Sequence, residues 1–226
     1  MKMPENLTEV KLRQTDIYTG KILKLHIDDV RLPNGREAVR EVVDHVDGAA
    51  VLALDEENRA LVVWQYRYVF GRVMAELPAG KLDPGEDPVT GALRELKEET
   101  GAEPGTLLPL GRMIPAPGCY GETLHLFLAR DLTFGPQHLD ADEFLNVERV
   151  PFDELVHRCV NGEIDDGKTV AAVLRAKDCV MKAVTTVREG AQDVYADAQD
   201  INEIRAQKDA VIEDAPMEAA PAEAAE

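Results

Sequence analysis

The chain has 226 residues, with 25 Lys and Arg against 43 Asp and Glu, and a formal net charge of −18 at pH 7. Hydrophobic residues make up 45% and charged residues 30%, which excludes collagen-like and wholly disordered classes and suits one large domain or two small ones. So negative a field repels nucleic-acid backbones and anionic lipid, so neither is expected as a partner; a small phosphate ligand can still be captured where bound cations offset the charge.

Residues 8–75 read mainly as β. TDIYTGKILKLHIDDVRLPNG alternates apolar and polar positions, with Pro33-Asn34-Gly35 as a turn, and REAVREVVDHV alternates again. Two apolar runs follow, GAAVLALD and ALVVWQYRYV, joined by a hairpin-like turn at Glu56-Glu57-Asn58. Trp64, the only tryptophan, is expected in the core. A helix is then predicted over 88–100, with Asp87 as N-cap, Pro88 at the first helical position and Gly101 just past the end. Strands are expected at 106–114, 123–130 and 145–151. A helix starts near Pro151 and ends at Gly162, and a further one runs from 168 to about Val187. Strands, one central helix, more strands and two closing helices make an α+β fold rather than a βαβ repeat.

From Glu189 to Glu226 there are eleven acids and two bases, so this stretch carries half of the net charge. It ends in low-complexity EDAPMEAAPAEAAE and reads as a largely disordered, solubilising tail, with a weak amphipathic helix possible over Val194, Ala198, Ile201 and Ile204. Cys119, Cys159 and Cys179 form no CxxC pair or zinc cluster. The opening MKMPENLTEVKLRQ lacks the apolar core of a secretory signal, and no run approaches the roughly 20 apolar residues of a membrane span. A reducing cytoplasm is the expected home.

Chemistry concentrates in GKLDPGEDPVTGALRELKEETGA, residues 80–102. On the central helix Glu95 and Glu99 are four apart and share a face, and Glu98 sits beside them. Arg94 and Lys97 are the nearby cations, and Glu86 adds another acid before the helix. Crowded carboxylates repel one another, and hard divalent cations take oxygen ligands together with substrate phosphates.

The same stretch resembles the Nudix box. Gly80, Glu86, Arg94, Glu95, Leu96, Glu98, Glu99, Gly101 and Ala102 all fall in register with it. VVDHVDGAAVLALDEENRALVVWQYRY, ELPAGKLDPGED, PAPGCYGETLHLFLARDL, LDADEFLNVERVPFDEL and GEIDDGKTVAAVL resemble the ADP-ribose pyrophosphatase branch of that family, over roughly 8–180. The resemblance implies an α/β/α sandwich with a mixed β-sheet between helices and additional N-terminal antiparallel strands. It divides the chain into an N-terminal β region (1–45) serving dimerisation, a Nudix domain (46–188) and the tail (189–226).

The resemblance further implies Mg²⁺ or Mn²⁺ as cofactor, held by Glu95, Glu99 and the Ala79 carbonyl, with Glu98 as a nearer or more distant carboxylate. Glu86 and Arg94, with Gly80 and Gly101, hold the box in shape. Glu143 resembles a late acid that binds a further metal or serves the attacking water. Where many relatives carry a glutamate proposed as general base, this chain has Ala141. That leaves Glu143, Asp142 or Glu122 for the role, or a slow enzyme. Arg67 falls where relatives reach the diphosphate or terminal ribose, Arg40 near the adenine end, and Pro117, Gly118 and Glu122 in a loop against the terminal ribose.

The implied reaction cleaves ADP-ribose, or a related ADP-sugar, to AMP and ribose 5-phosphate, in a homodimer whose N-terminal strands help form the partner's site. The alternatives are hydrolysis of another nucleotide sugar such as GDP-mannose, a nucleoside triphosphatase, or a non-catalytic ADP-ribose sensor. A scaffold acting through the tail is a weaker alternative. The intact set of box acids and the lack of a basic helix-turn-helix disfavour the sensor.

Overall fold

The computed structural model describes residues 7–141 and 143–177. β1 (Val10–Thr19), β2 (Lys24–Arg31) and β3 (Glu37–Asp44) form an antiparallel meander, with Gly35 at φ 84° closing the expected turn. The main body then builds from β4 (Gly48–Ala53), β5 (Arg59–Arg67), β6 (Arg72–Glu76), β7 (Ala79–Lys81), α1 (Pro88–Thr100), β8 (Ala102–Met113), β9 (Leu124–Phe134), β10 (Leu145–Pro151) and α2 (Phe152–Val160). Residues 167–177 form a third helix, α3. Its expected continuation to Val187, and the possible helix around Val194–Ile204, lie outside the described residues.

Two sheets make the body. One is mixed, in the order β7-β4-β9-β8, with β4 parallel to β9; the other is antiparallel, β10-β5-β6. Every residue of β4 is buried, because helices cover both faces. Ala49, Val51 and Ala53 face Ala92 and Leu96 of α1, whereas Ala50, Leu52 and Leu54 join Leu155 of α2 and Val173 of α3. The period of two along β4 thus sorts its side chains between the two helical layers, giving the expected α/β/α sandwich. Each fully buried leucine here, such as Leu96 or Leu155, contributes about 1.5–3 kcal/mol of apolar burial.

Two local expectations are corrected. The turn at Glu56-Glu57-Asn58 exists, but β4 and β5 do not pair as a hairpin; a single bridge, Leu54 to Ala60, joins them before they diverge into different sheets. The Asp55 carboxylate sets this divergence by accepting the Glu57 and Arg59 amides at 3.1 and 2.8 Å. Trp64 is half-buried rather than in the core, because its indole N–H reaches Glu148 at the surface, 2.7 Å away.

α1 is fixed at both ends. The Asp87 carboxylate accepts the Val89 and Thr90 amides at 3.1 and 3.0 Å, and Pro88 occupies the first turn. Gly101 closes the helix at φ 71°, and a Cβ there would lie 2.2 Å from the Gly135 carbonyl oxygen. Among the described residues no helix is long and apolar enough to cross a membrane. Asp87→Ala removes the N-cap and is expected to lower stability by about 1 kcal/mol in urea denaturation; an unchanged midpoint would mean that the helix start is held by packing alone.

Candidate active site

The α1 start and the short strand β7 meet, and the acids gather at that junction. Glu95 lies directly against β7: a Cβ on Gly80 would sit 2.1 Å from its carboxyl carbon, so any larger residue there would displace the carboxylate. The Ala79 amide donates to Glu99 Oε2 at 3.0 Å, and Glu99 is 2% exposed. Glu98 is half-buried at the rim, consistent with its place one step round the helix.

Arg94 ties the acids together. Its Nε and Nη2 form a fork onto Glu86 at 3.0 and 2.9 Å, while Nη1 reaches Glu95 at 2.8 Å and Glu98 at 3.0 Å. Nη2 also donates to the Lys81 carbonyl at 2.9 Å, fastening the loop before α1 to the end of β7. The fork and the amide of Asp83 hold the Glu86 carboxyl below its ordinary range.

One guanidinium does not balance these acids. Burial pushes Glu99 up to about 8, and the neighbouring charges of Glu143 and Glu95 add to this while the Ala79 amide opposes it. Burial also raises Glu95, with Glu98 and Glu143 adding and Arg94 opposing. Glu143 therefore lies within electrostatic reach of both, in a turn where its amide bonds the Asp140 carbonyl at 3.0 Å. Asp142 lies outside the described residues.

These groups open onto a cleft of about 1190 Å³, large enough for a nucleotide-sized ligand. Glu122 also lines it, raised by burial, with its Oε1 3.5 Å from His45 Nδ1. His45 packs on Tyr120 at 5.2 Å between ring centroids. Arg67 lines the cleft too, but its Nε and Nη2 are taken by Glu76 at 2.6 and 2.8 Å. Burial works to raise Glu76, and Arg67 and Lys168 outweigh it, holding the carboxyl down at about 2.

The structure brings Ala79, Gly80, Arg94, Glu95, Glu98, Glu122, Glu143 and Arg67 to the cleft, with Glu99 buried behind β7 and Glu86 and Gly101 supporting the helix. Arg40, Pro117 and Gly118 do not line it. Arg40 instead forks onto Glu9, with Nε 2.9 Å from Oε2, and Pro117 and Gly118 form an exposed turn. Cleft residues without a predicted role include Lys21, His45, Lys81, Tyr120 and Lys168. Lys168 had a faint signal, a lone cation after Asp165 and Asp166 at a helix start; Lys21 and His45 had none.

Among the described residues no three His, Cys, Asp or Glu side chains already converge at ligating distances. The donor set nevertheless fits a hard divalent cation. It is all oxygen, it combines Glu95, Glu98, Glu99 and Glu143 with the β7 backbone, and the neighbouring negative charges help to raise Glu95 and Glu99 in a way that a cation would relieve.

A family profile described as NUDIX domain matches residues 44–173, more than half of the chain. The chain belongs to the Nudix family. Two further profiles match this Nudix protein: a nucleoside diphosphate sugar hydrolase N-terminal domain over 10–43, and a family of unknown function over 164–220. It is 37% identical over 171 residues to an ADP-ribose pyrophosphatase of Bacillus subtilis, covering 75% of this chain and 92% of that one. It is 38% identical over 175 residues to an ADP-ribose pyrophosphatase of Mycobacterium tuberculosis (75% and 81% covered), and 40% over 167 residues to a methanol dehydrogenase activator of Bacillus methanolicus (73% and 90%). The fold matches a crystal structure of an ADP compounds hydrolase with a TM-score of 0.71 at 19% identity, covering 80% of this chain and 98% of that one. It is a Nudix hydrolase, an enzyme acting on pyrophosphate bonds.

Because Glu99 without a cation holds its proton to about pH 8, a cation must displace that proton to use the carboxylate. Mn²⁺ affinity is therefore expected to tighten as pH rises from 6 and to level off above about 8. Titration of free Mn²⁺ by electron paramagnetic resonance across that range checks it; a flat profile would contradict a metal role for Glu99.

Proposed function

We propose that this Nudix hydrolase cleaves the diphosphate of ADP-ribose, or of a related ADP-sugar, to AMP and ribose 5-phosphate, with Mg²⁺ or Mn²⁺ as cofactor. The observation that carries the reading is the junction of α1 and β7, where the box acids gather at the wall of a nucleotide-sized cleft. The likeness to the ADP-ribose pyrophosphatases of Bacillus subtilis and Mycobacterium tuberculosis supports ADP-ribose over GDP-mannose as the substrate class.

In this reading Glu95, Glu98, Glu99, Glu143 and the Ala79 carbonyl hold the cation. When bound, it neutralises diphosphate charge and makes water a better nucleophile at neutral pH. Arg94 keeps Glu95 and Glu98 aimed inward and takes no proton itself. Glu143 accepts the proton of the attacking water, since it is the acid placed beside both Glu95 and Glu99. The new bond joins water oxygen to one phosphorus, the bridging P–O bond breaks, and the two monophosphates leave. Glu122 lines the same cleft and accepts hydrogen bonds from sugar hydroxyls. Lys21 and Lys81 on the cleft wall offset the remaining phosphate charge.

Hydrolysis of ADP-ribose by the purified chain with Mg²⁺, followed by chromatography, is expected to give AMP and ribose 5-phosphate. Glu99→Gln is expected to lower turnover by about 100-fold or more. GDP-mannose run in parallel is expected to react more slowly; the reverse order would overturn the substrate assignment, and no turnover on any diphosphate would leave an ADP-ribose sensor.

The reading extends to a homodimer built through residues 1–45. All ten residues of β1 are exposed, including Val10, Leu12, Ile17 and Tyr18, and a three-stranded meander with so much uncovered apolar surface needs a partner face. Lys21, in the β1–β2 turn, also lines the cleft, so the strands and the site are contiguous. Light scattering is expected to give twice the chain mass, falling to one chain for Val10→Glu with Tyr18→Glu; a monomeric wild type with full activity would sink this part. A reducing cytoplasm suits the free thiols Cys119 and Cys159.

A further inference from the structure

We propose that Asp166, Lys168 and Thr169, at the start of α3, form a clamp that positions residues 76–79 and so fixes the backbone on which the cation-binding acids depend. The inference rests on the reading of the cleft as a cation-dependent hydrolase site and adds three positioning residues from outside the box.

The clamp acts on a crossing between sheets. β6 ends at Glu76 in one sheet and β7 begins at Ala79 in the other, so Leu77 and Pro78 alone carry the chain across. Pro78 has no amide to donate, and its carbonyl accepts the Val51 amide at 2.9 Å. The Leu77 amide is answered by a side chain 92 residues away: it donates to Thr169 Oγ1 at 2.9 Å. Thr169 is fully buried, and its hydroxyl gives its own hydrogen to Asp166 Oδ2 at 2.6 Å. That leaves the oxygen lone pairs for Leu77 and fixes the direction of the bond.

The neighbouring side chain is held from the same place. Lys168 Nζ bonds Glu76 Oε2 and Asp166 Oδ1, the latter at 3.1 Å, while Arg67 forks onto Glu76 from β5. Two cations and two carboxylates thus neutralise one another around Glu76, which is 2% exposed. Three residues further on, the Ala79 amide holds Glu99, and at Gly80 the backbone lies against Glu95. A shift of residues 77–79 therefore moves the amide and the carbonyl that the cation site uses. The Lys168 ammonium also acts through space on Glu99 and Glu122, so a charge effect and a positioning effect must be separated.

They differ in sign. Removing a cation beside an acid cluster strengthens cation binding by charge alone, whereas loosening the 76–79 backbone weakens it. The test is a Mn²⁺ titration of the full chain by electron paramagnetic resonance, without substrate, for Thr169→Val, Thr169→Ser, Lys168→Met and Lys168→Arg. Thr169→Val, which changes no charge, is expected to weaken Mn²⁺ binding by about 10-fold or more, and Thr169→Ser, which keeps the hydroxyl, to restore it. Lys168→Met is expected to weaken binding and Lys168→Arg to recover most of it. At saturating metal, the KM for ADP-ribose is expected to stay unchanged in both Thr169 variants, whose side chain lies outside the cleft lining. Unchanged Mn²⁺ affinity in Thr169→Val, or tighter binding in Lys168→Met, would overturn the clamp. Should Lys168→Met fail to fold, the Thr169 pair decides. A wild-type chain that binds Mn²⁺ but leaves ADP-ribose intact would refute the proposed substrate, while the Mn²⁺ titrations would still judge the clamp.

Discussion

Crowded negative charge at the α1–β7 junction is the constraint on which the rest of this structure depends. Two carboxylates about 4 Å apart repel by about 1 kcal/mol in water and by about 4 kcal/mol at the effective dielectric of a partly buried site. The protein keeps Glu86, Glu95 and Glu98 on one guanidinium, that of Arg94, and buries Glu99 against a backbone amide. Such an arrangement persists only if its frame is stiff. Capping by Asp87 and Gly101, the close approach at Gly80 and the bond from Arg94 to the Lys81 carbonyl each remove one way for the acids to separate.

The frame comes from the layers. β4 is buried on both faces and carries β7 on one edge, so the strand beneath the acids is attached to a strand with no exposed residue. The second sheet meets the first at the Leu77–Pro78 crossing, and the cleft opens where they meet. The cleft therefore sits at a seam, lined by the box helix, by β7 and by the loop carrying Tyr120 and Glu122.

Much of this was legible in the sequence. The α1 caps and the box register are local, fixed by residue type at short spacing, and the helix stands where Asp87, Pro88 and Gly101 place it. The alternation along β2 and the turn at Gly35 were equally local. What was not legible depends on distant partners. Two apolar runs with a short turn between them look like a hairpin, and only the sheets reveal that β4 pairs with β9 and β5 with β10. Trp64 reads as core because nothing nearby announces Glu148. The partners of Arg67 and Arg40, Glu76 and Glu9, are distant in the same way, and no local pattern announces either pair.

The parallel pairing of β4 with β9 has a consequence for the order of events during synthesis. Residue 48 sits opposite residue 124, so the central strand cannot gain its parallel neighbour until most of the domain has left the ribosome. Parallel pairing over so long a loop is slow to form and exposes apolar strands while it waits. β4, with its run of alanine, valine and leucine, is the segment at risk in that interval. The nascent chain thus carries the whole box-helix sequence, capping residues included, well before the sheet that gives the helix a surface to rest on.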